Sequence, residues 1–425
     1  MIRIVRPARA RGTIRPPGSK SYTHRALVIA AIGRTVLRIR NPLDSDDTRT
    51  TAHGIRRLGA SVTRTADTWT VRPAARPLDR RTTIRCGESG TSLRLLTGLA
   101  SLQERPVRFV GEGRLPLRPM ESLFRALEGL GARIRRERPD RSLPFTIRGP
   151  IQSGIARISA EDSSQPVSSL LIALSALDRP STVTIVGSVV SAPYIGATTA
   201  FLKELGYGVI GSERCYRLRG RVRAAPRSID IPTDASSAAY LWAAAAISGG
   251  SVAVEGLEAR YPQADLELLR ALRRMGASVA RRDSTIRVSG PLRRGVRADL
   301  TDSPDLFPLL GVLATAAPGG PSTLEGTPHL RHKESDRRKE TIDLVRAFGA
   351  RARSANGQLV ISPPGEMSPI SRQDATDHRL VMSAAVGALA AAAPSRIGDA
   401  RAVAKSYPRF WSDLARVLPL TRGSS

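Results

Sequence analysis

The densest chemistry in the chain is the run His329-Leu330-Arg331-His332-Lys333-Glu334-Ser335-Asp336-Arg337, a lysine, two carboxylates and two arginines within nine residues. It follows a strand-like stretch, Ser322–Glu325, and leads into an amphipathic helix pattern over 341–348. Read alone, it is a solvated helix start with Glu334 and Asp336 facing the helix dipole. Other segments share its character, each polar, each at the start of a helix pattern. Pro17-Gly18-Ser19-Lys20-Ser21-Tyr22-Thr23-His24-Arg25 puts Lys20 and Arg25 around a Ser-capped start and lacks the P-loop spacing. Cys86-Gly87-Glu88-Ser89-Gly90-Thr91-Ser92 is a Gly-rich entry, where backbone approaches a ligand closely and a helix N-terminus favours phosphate. Cys86 reads as a packed small residue. Leu43-Asp44-Ser45-Asp46-Asp47-Thr48 is fully explained as an N-cap with an acidic first turn and receives no site role.

The basic residues sharpen the picture. Of 66 Lys and Arg only five are lysine, at 20, 203, 333, 339 and 405. Arg does not replace Lys where a compact point charge is needed, so surviving lysines are informative. Lys20, Lys333 and Lys405 fall in candidate site segments, whereas Lys203 and Lys339 read as exposed helix positions. The net charge of +29 raises a nucleic-acid reading, but the arginines are spread through every helix and aromatics are only 4%. Two cysteines form neither a disulfide framework nor a zinc site. With no leader-like h-region and no apolar run long enough for a bilayer, a soluble cytoplasmic protein is expected.

These segments are positioned by a repeat. Small-residue helix patterns start near Ser19, Gly90, Ser163, Asp234, Ser303 and Thr376, at intervals of 69 to 73 residues. They are apolar nearly all round, which predicts burial. Amphipathic helices ending in Leu58-Gly59, Leu130-Gly131, Leu205-Gly206, Met275-Gly276 and Phe348-Gly349 keep the same period, with glycine as the expected C-cap. Short strands lie between, so the chain reads as α/β with six units, three to each of two domains, joined near Arg227–Thr233. If the buried helices run parallel, their N-termini form an anion-binding face made twice, suited to a multiply anionic ligand between the domains.

In order along the chain from Gly12 to about Trp411, these motifs resemble the enolpyruvyl transferase family, on its shikimate 3-phosphate branch. Any one motif is weakly specific and the ordered set is highly so. The sister branch acts on UDP-N-acetylglucosamine. It usually has a reactive Cys where Gly113 stands and a Lys-Asn pair where Lys20-Ser21 stands. Ala192 and Gly196 depart from the family, which often has Lys or Arg at the first and Asp at the second, and His329 replaces a frequent Asn. Lys333-Glu334-Ser335-Asp336-Arg337 and Lys405-Ser406-Tyr407-Pro408 are similar to archaeal members.

The resemblance implies two lobes of three βαβαββ-type units, residues 16–229 against 1–15 with 230–425, the active site lying between them. It implies transfer of the enolpyruvyl group of phosphoenolpyruvate to the 5-hydroxyl of shikimate 3-phosphate in aromatic amino-acid biosynthesis. Lys20, Ser21, Arg25, Ser163, Ser164, Gln165, Ser191, Tyr194, Asp305 and Lys333 would hold shikimate 3-phosphate. Lys20, Gly90, Thr91, Arg118, Gln165, Arg337, Arg379 and Lys405 would hold phosphoenolpyruvate. Glu334 and Asp305, with Lys333, would move the protons. No cofactor or metal is implied, and the partners are the two small-molecule substrates, on a monomer with no specific nucleic acid and no membrane. A UDP-sugar transferase, and behind it a basic nucleic-acid-binding protein, are the competing readings. Asp234-Ala235-Ser236-Ser237 is taken as structural capping, and Asp336 and Arg331 keep structural readings.

Overall fold

The small-residue runs form helices buried along nearly their whole length. The computed structural model describes residues 1–75, 78–220, 227–326, 330–331, 333–372 and 377–419. Twelve α-helices occur among them. Six carry the small-residue runs: α1 (Lys20–Ile32), α3 (Gly90–Ala100), α5 (Gln165–Ser175), α7 (Ala235–Ser248), α9 (Phe307–Ala316) and α11 (His378–Ala388). Every residue of α11 is buried, and in α9 only Ala316 is not. Trp242 of α7 is fully buried with its Nε1 donating to the Ile286 carbonyl at 3.0 Å. Truncating such a side chain to Ala costs roughly 3–5 kcal/mol. The predicted start near Ser303 opens instead as a 3-10 turn, Pro304–Leu306, before α9 begins. Thr376 and His329 lie outside the described residues.

Between these run α2 (Asp46–Arg57), α4 (Glu121–Gly129), α6 (Pro193–Glu204), α8 (Glu267–Arg274), α10 (Arg337–Ala347) and α12 (Phe410–Val417). Helix α8 buries Leu268, Leu269, Ala271 and Leu272 and turns Arg270, Arg273 and Arg274 outward, as its amphipathic spacing requires. The five repeated glycines after these helices, from Gly59 to Gly349, have φ between 85° and 101°. This left-handed C-cap is disfavoured for any residue with a Cβ.

The chain divides into two compact units, Gly18–Ile231 and a second made of Met1–Pro17 with Pro232–Ser425. The first holds three four-stranded sheets, ordered 155–160, 181–189, 215–218, 209–212; then 82–85, 107–110, 145–148, 133–136; then 228–230, 37–40, 68–72, 61–64. In each, the first pair is parallel and the rest antiparallel. A parallel pair needs a crossover, which α5 and α3 supply in the first two sheets, and the last antiparallel pair of each sheet closes as a hairpin. The second unit repeats the scheme in two four-stranded sheets, 11–14, 251–254, 285–289, 278–282 and 297–299, 322–325, 358–362, 351–355. Its last sheet has three strands, with Arg3–Val5 pairing Ser395–Ile397 beside 371–372.

The leading strands are exchanged. Arg11–Ile14 precedes α1 in sequence but pairs Ser251–Val254. Ser228–Asp230 precedes α7 but pairs Leu37–Arg40. Each unit therefore takes a strand from beyond its own run of helices, and the chain passes between units twice.

Candidate functional site

In the unit Gly18–Ile231, the polar residues gather at the starts of α1, α3 and α5. Ser19, extended at φ −65° and ψ 127°, caps α1. Lys20 Nζ donates to Asp47 Oδ2 at 3.1 Å, and both side chains are mostly buried. Asp47 is thus more than a first-turn acid of α2, which Ser45 and Thr48 cap reciprocally. Arg25 is 2% exposed. It donates to Thr198 Oγ1 (2.7 Å), the Ser21 carbonyl (2.9 Å), the Tyr194 carbonyl (2.9 Å) and Ser168 Oγ (3.3 Å). Burial pulls its pKa down to about 10, so it remains cationic at neutral pH. Four donors spent on protein make Arg25 the clamp that joins Ser21 to Tyr194. Ser191 adopts a left-handed φ of 58°, and its carbonyl accepts from Tyr194 N–H at 3.1 Å.

A second group surrounds Gly90. A Cβ built there would lie 2.5 Å from Arg118 Nη1 and 3.2 Å from Arg94 Nη1, so glycine is what lets both guanidinium groups approach α3. Arg94 Nη1 donates to Gln165 Oε1 at 2.8 Å, and Gln165 Nε2 donates to Thr91 Oγ1 at 3.0 Å. Arg94 Nη2 also donates to the Pro119 carbonyl at 3.1 Å, tying α3 to the loop that presents Arg118. Ser163 Oγ accepts from Gln165 N–H at 3.2 Å, and buried Ser164 caps α5. Arg94 escaped the sequence reading; its signal was a lone arginine inside the apolar run Leu93-Arg94-Leu95-Leu96. Cys86 is fully buried, and burial pushes its thiol up to about 12, which suits packing rather than nucleophilic attack. Gly113 has φ +57°, and a Cβ there would lie 2.0 Å from Glu88 Oε1, so no cysteine fits without rearrangement.

In the other unit, the run 333–337 meets the starts of α9 and α11. Arg337 is 1% exposed. Its Nη1 donates to Asp305 Oδ1 (2.7 Å), its Nη2 to Glu334 Oε2 (2.8 Å) and its Nε to Asp377 Oδ2 (3.0 Å). Arg379 Nη2 takes the other Asp305 oxygen at 2.7 Å, and Arg379 N–H donates to Asp377 Oδ1 at 2.9 Å. Burial favours the neutral acid at Asp305, but the charges of Arg379, Arg337 and Lys333 overcome it and hold the carboxyl well below the usual range. For Arg337, burial is outweighed by Asp377, Asp305 and Glu334, which keep it firmly protonated. Asp377, which also caps α11, is a member of this cluster that the sequence reading passed over. Asp336 caps α10 through Lys339 N–H at 3.2 Å, in keeping with its structural reading.

Lys405 ends the 3-10 turn Ala402–Lys405 and is half-buried. Beyond it, Tyr407 donates to fully buried Asp413 Oδ2 at 3.0 Å, fastening the turn to α12. Asp234 accepts from Ser237 N–H and Oγ at 3.0 and 2.8 Å, a cap as expected. Among the described residues, no group of three or more His, Cys, Asp and Glu is placed to hold a metal ion, and no helix is long and apolar enough to cross a membrane. The arrangement suits a substrate with several negative charges, supplied with fixed cations and with carboxylates for proton transfer.

A family model described as EPSP synthase (3-phosphoshikimate 1-carboxyvinyltransferase) matches residues 4–414. The 3-phosphoshikimate 1-carboxyvinyltransferase of Methanocorpusculum labreanum is 34% identical over 416 residues, covering 97% of this chain and 98% of that protein. The protein of the same name from Halobacterium salinarum is 36% identical over 422 residues, covering 97% of each. Among solved structures, EPSP synthase from Acinetobacter baumannii superposes with a TM-score of 0.81 at 25% identity, covering 98% of both chains.

Proposed function

The chain belongs to the EPSP synthase family, and we propose on that premise how its residues divide the reaction. The enzyme transfers the enolpyruvyl group of phosphoenolpyruvate to the 5-hydroxyl of shikimate 3-phosphate, giving 5-enolpyruvylshikimate 3-phosphate and phosphate. Carbon–oxygen bonds form and break, so the chemistry differs from phosphoryl transfer. The methylene carbon gains a proton as the hydroxyl loses one, giving a tetrahedral intermediate. Loss of a methyl proton and of phosphate then restores the double bond.

The observation that carries the reading is Asp305 bridging Arg337 and Arg379 with Glu334 on the same Arg337. Two carboxylates are thereby fixed against two guanidinium groups, proton carriers beside anion binders. Asp305, with Lys333, serves the 5-hydroxyl, and Glu334 gives the methylene its proton and later takes it back. While both arginines hold it, Asp305 is a weak base. As Arg337 and Arg379 turn, with Lys405, to the phosphoenolpyruvate anions, the grip of the two arginines on Asp305 loosens and its basicity rises. Arg118, set against Gly90, neutralises the phosphate beside Thr91, which a bidentate guanidinium fits. Lys20 faces both substrates, and Gln165 reaches them from its link to Thr91. Ser21, Arg25, Ser163, Ser164, Ser191 and Tyr194 form the shikimate 3-phosphate side, with Arg25 clamping the loop that bears Tyr194.

Gly113, where a cysteine Cβ would meet the Glu88 carboxylate, and Ser21 favour the shikimate substrate over a UDP-sugar. The enzyme works as a monomer in the cytoplasm without metal, cofactor or nucleic acid. The deciding experiment is phosphate release from phosphoenolpyruvate. Release that depends on shikimate 3-phosphate is expected, and release only with UDP-N-acetylglucosamine would transfer the assignment to the sister branch.

A further inference from the structure

The segment Pro116-Leu117-Arg118-Pro119 sets Arg118 against the start of α3, yet its outer side is poorly packed. Leu117 is 55% exposed, and an open cleft of about 190 Å3 lies behind the segment, bordered by Pro116, Leu117, Pro119, Phe124, Arg136 and Ser142. The inner side is apolar. Leu115 and Leu143 are each 1% exposed, and a methyl of each lies 2.7 Å from a Cβ built on Gly111, so the two leucines meet over that glycine. Apolar contact of this kind seats the loop but does not fix the direction of its peptides. The two prolines bring no N–H groups of their own to do so.

Three carbonyls of the segment accept hydrogen bonds from elsewhere in the unit, and two of the three donors belong to one residue. Ser142, in the turn between strands 133–136 and 145–148, donates its Oγ to the Arg118 carbonyl at 2.5 Å. Its N–H donates to the Pro116 carbonyl at 2.8 Å. The third donor is Arg94 Nη2, on the Pro119 carbonyl at 3.1 Å. The turn that carries Ser142 is itself braced. Glu137 N–H donates to the Pro144 carbonyl at 3.0 Å, and the Glu137 carboxylate holds Arg108 of strand 107–110 at 2.6 and 2.8 Å.

Arg118 is extended at φ −76° and ψ 135°. The residue before a proline is confined to a broad extended basin, and the direction of its carbonyl is what selects ψ within that basin. The Ser142 hydroxyl catches that carbonyl. Arg118 has little slack at its other end, being 7% exposed with Nη1 only 2.5 Å from the Cβ position of Gly90. We propose that Ser142 is a positioning residue whose hydroxyl fixes the Arg118 peptide and thereby the placement of its guanidinium on the phosphate of phosphoenolpyruvate. The inference rests on the assignment of Arg118 given under the proposed function.

The test is phosphate-release kinetics of the full chain for wild type, Ser142→Ala, Ser142→Thr and, as a control, Arg118→Ala. Ser142→Ala is expected to raise KM for phosphoenolpyruvate about tenfold, leaving kcat and KM for shikimate 3-phosphate within about threefold. Ser142→Thr keeps the hydroxyl and should stay within about threefold of wild type in every constant. A residue that merely braced the turn would weaken both substrates alike or lower stability alone, and either result in Ser142→Ala overturns the inference. So does a KM for phosphoenolpyruvate within about twofold of wild type. A Ser142→Thr enzyme as weak for phosphoenolpyruvate as Ser142→Ala would also overturn it, because the hydroxyl would then not be the group that matters. Should Ser142→Ala not fold, the serine holds the fold rather than Arg118, and the inference fails. Wild type that releases no phosphate, or Arg118→Ala with an unchanged KM for phosphoenolpyruvate, would instead sink the underlying assignment.

Discussion

Arg337 Nη1 and Asp305 Oδ1 lie 2.7 Å apart, with the arginine side chain 1% exposed. Because Arg337 also serves Glu334 and Asp377, one planar fork satisfies three carboxylates at once. An ammonium group cannot span that geometry. Arg337→Lys is expected to cost about 3–5 kcal/mol of stability, because it strands the fully buried Asp377 carboxylate along with the partly buried Asp305 and Glu334. Phosphate release should fall at least about 100-fold. Urea unfolding and a phosphate assay check both, and a variant as stable as wild type would contradict the network's importance.

Glu334→Gln retains an oxygen for Arg337 Nη2 but removes the proton carrier. We expect kcat to drop roughly 10²- to 10⁴-fold, with KM for both substrates changed less than about threefold. A kcat within tenfold of wild type would assign the methylene proton to another group.

Gly90→Ala places a methyl 2.5 Å from Arg118 Nη1, so Arg118 must retreat. The long side chain can give way, and stability should change little. Its displacement by about an ångström is expected to raise KM for phosphoenolpyruvate roughly 10- to 100-fold while that for shikimate 3-phosphate holds. Equal weakening of both substrates would show a general distortion of the α3 start instead.

His24 provides a pH prediction for stability. The side chain is fully buried with Nδ1 2.7 Å from Thr51 Oγ1, and Thr51 Oγ1 lies 2.8 Å from Ser92 Oγ, linking α1, α2 and α3. Burial lowers its pKa from 6.5 to about 3, against the opposing charge of Asp47. The folded pKa is depressed, so the unfolded chain binds the extra proton as pH falls below 6.5. Stability is therefore present above pH 6.5 and lost towards pH 3, by roughly 5 kcal/mol from this residue alone. Unfolding midpoints at pH 4.5 and 7.5 should differ less in His24→Asn than in wild type. An identical difference would remove His24 as the cause.

The helices were legible because small-residue runs and Leu-Gly endings recur at a nearly constant interval, and burial follows from apolarity all round. The run at 333–337 showed its charges but not its order. Nothing in the spacing says that Arg337 engages Asp305 and Asp377, 32 and 40 residues away. As an acid in the first turn of α2 Asp47 needs no further explanation, and that reading hides its bond to Lys20. Arg94 and Ser142 stood in helix or turn patterns whose ordinary readings needed nothing further.

By itself, the order of motifs determined the family, and the repeat determined two sets of buried helices with polar starts. Periodicity and capping are local, set within a few residues by backbone geometry and apolar spacing, and are therefore readable along a line. The exchange of strands 11–14 and 228–230, the sharing of Asp305 between two arginines and the hold of Ser142 on the Arg118 carbonyl were decided only in three dimensions. Hydrogen bonds and buried charges depend on distance through space, and residues far apart in the chain acquire that distance only when the sheets and helices pack.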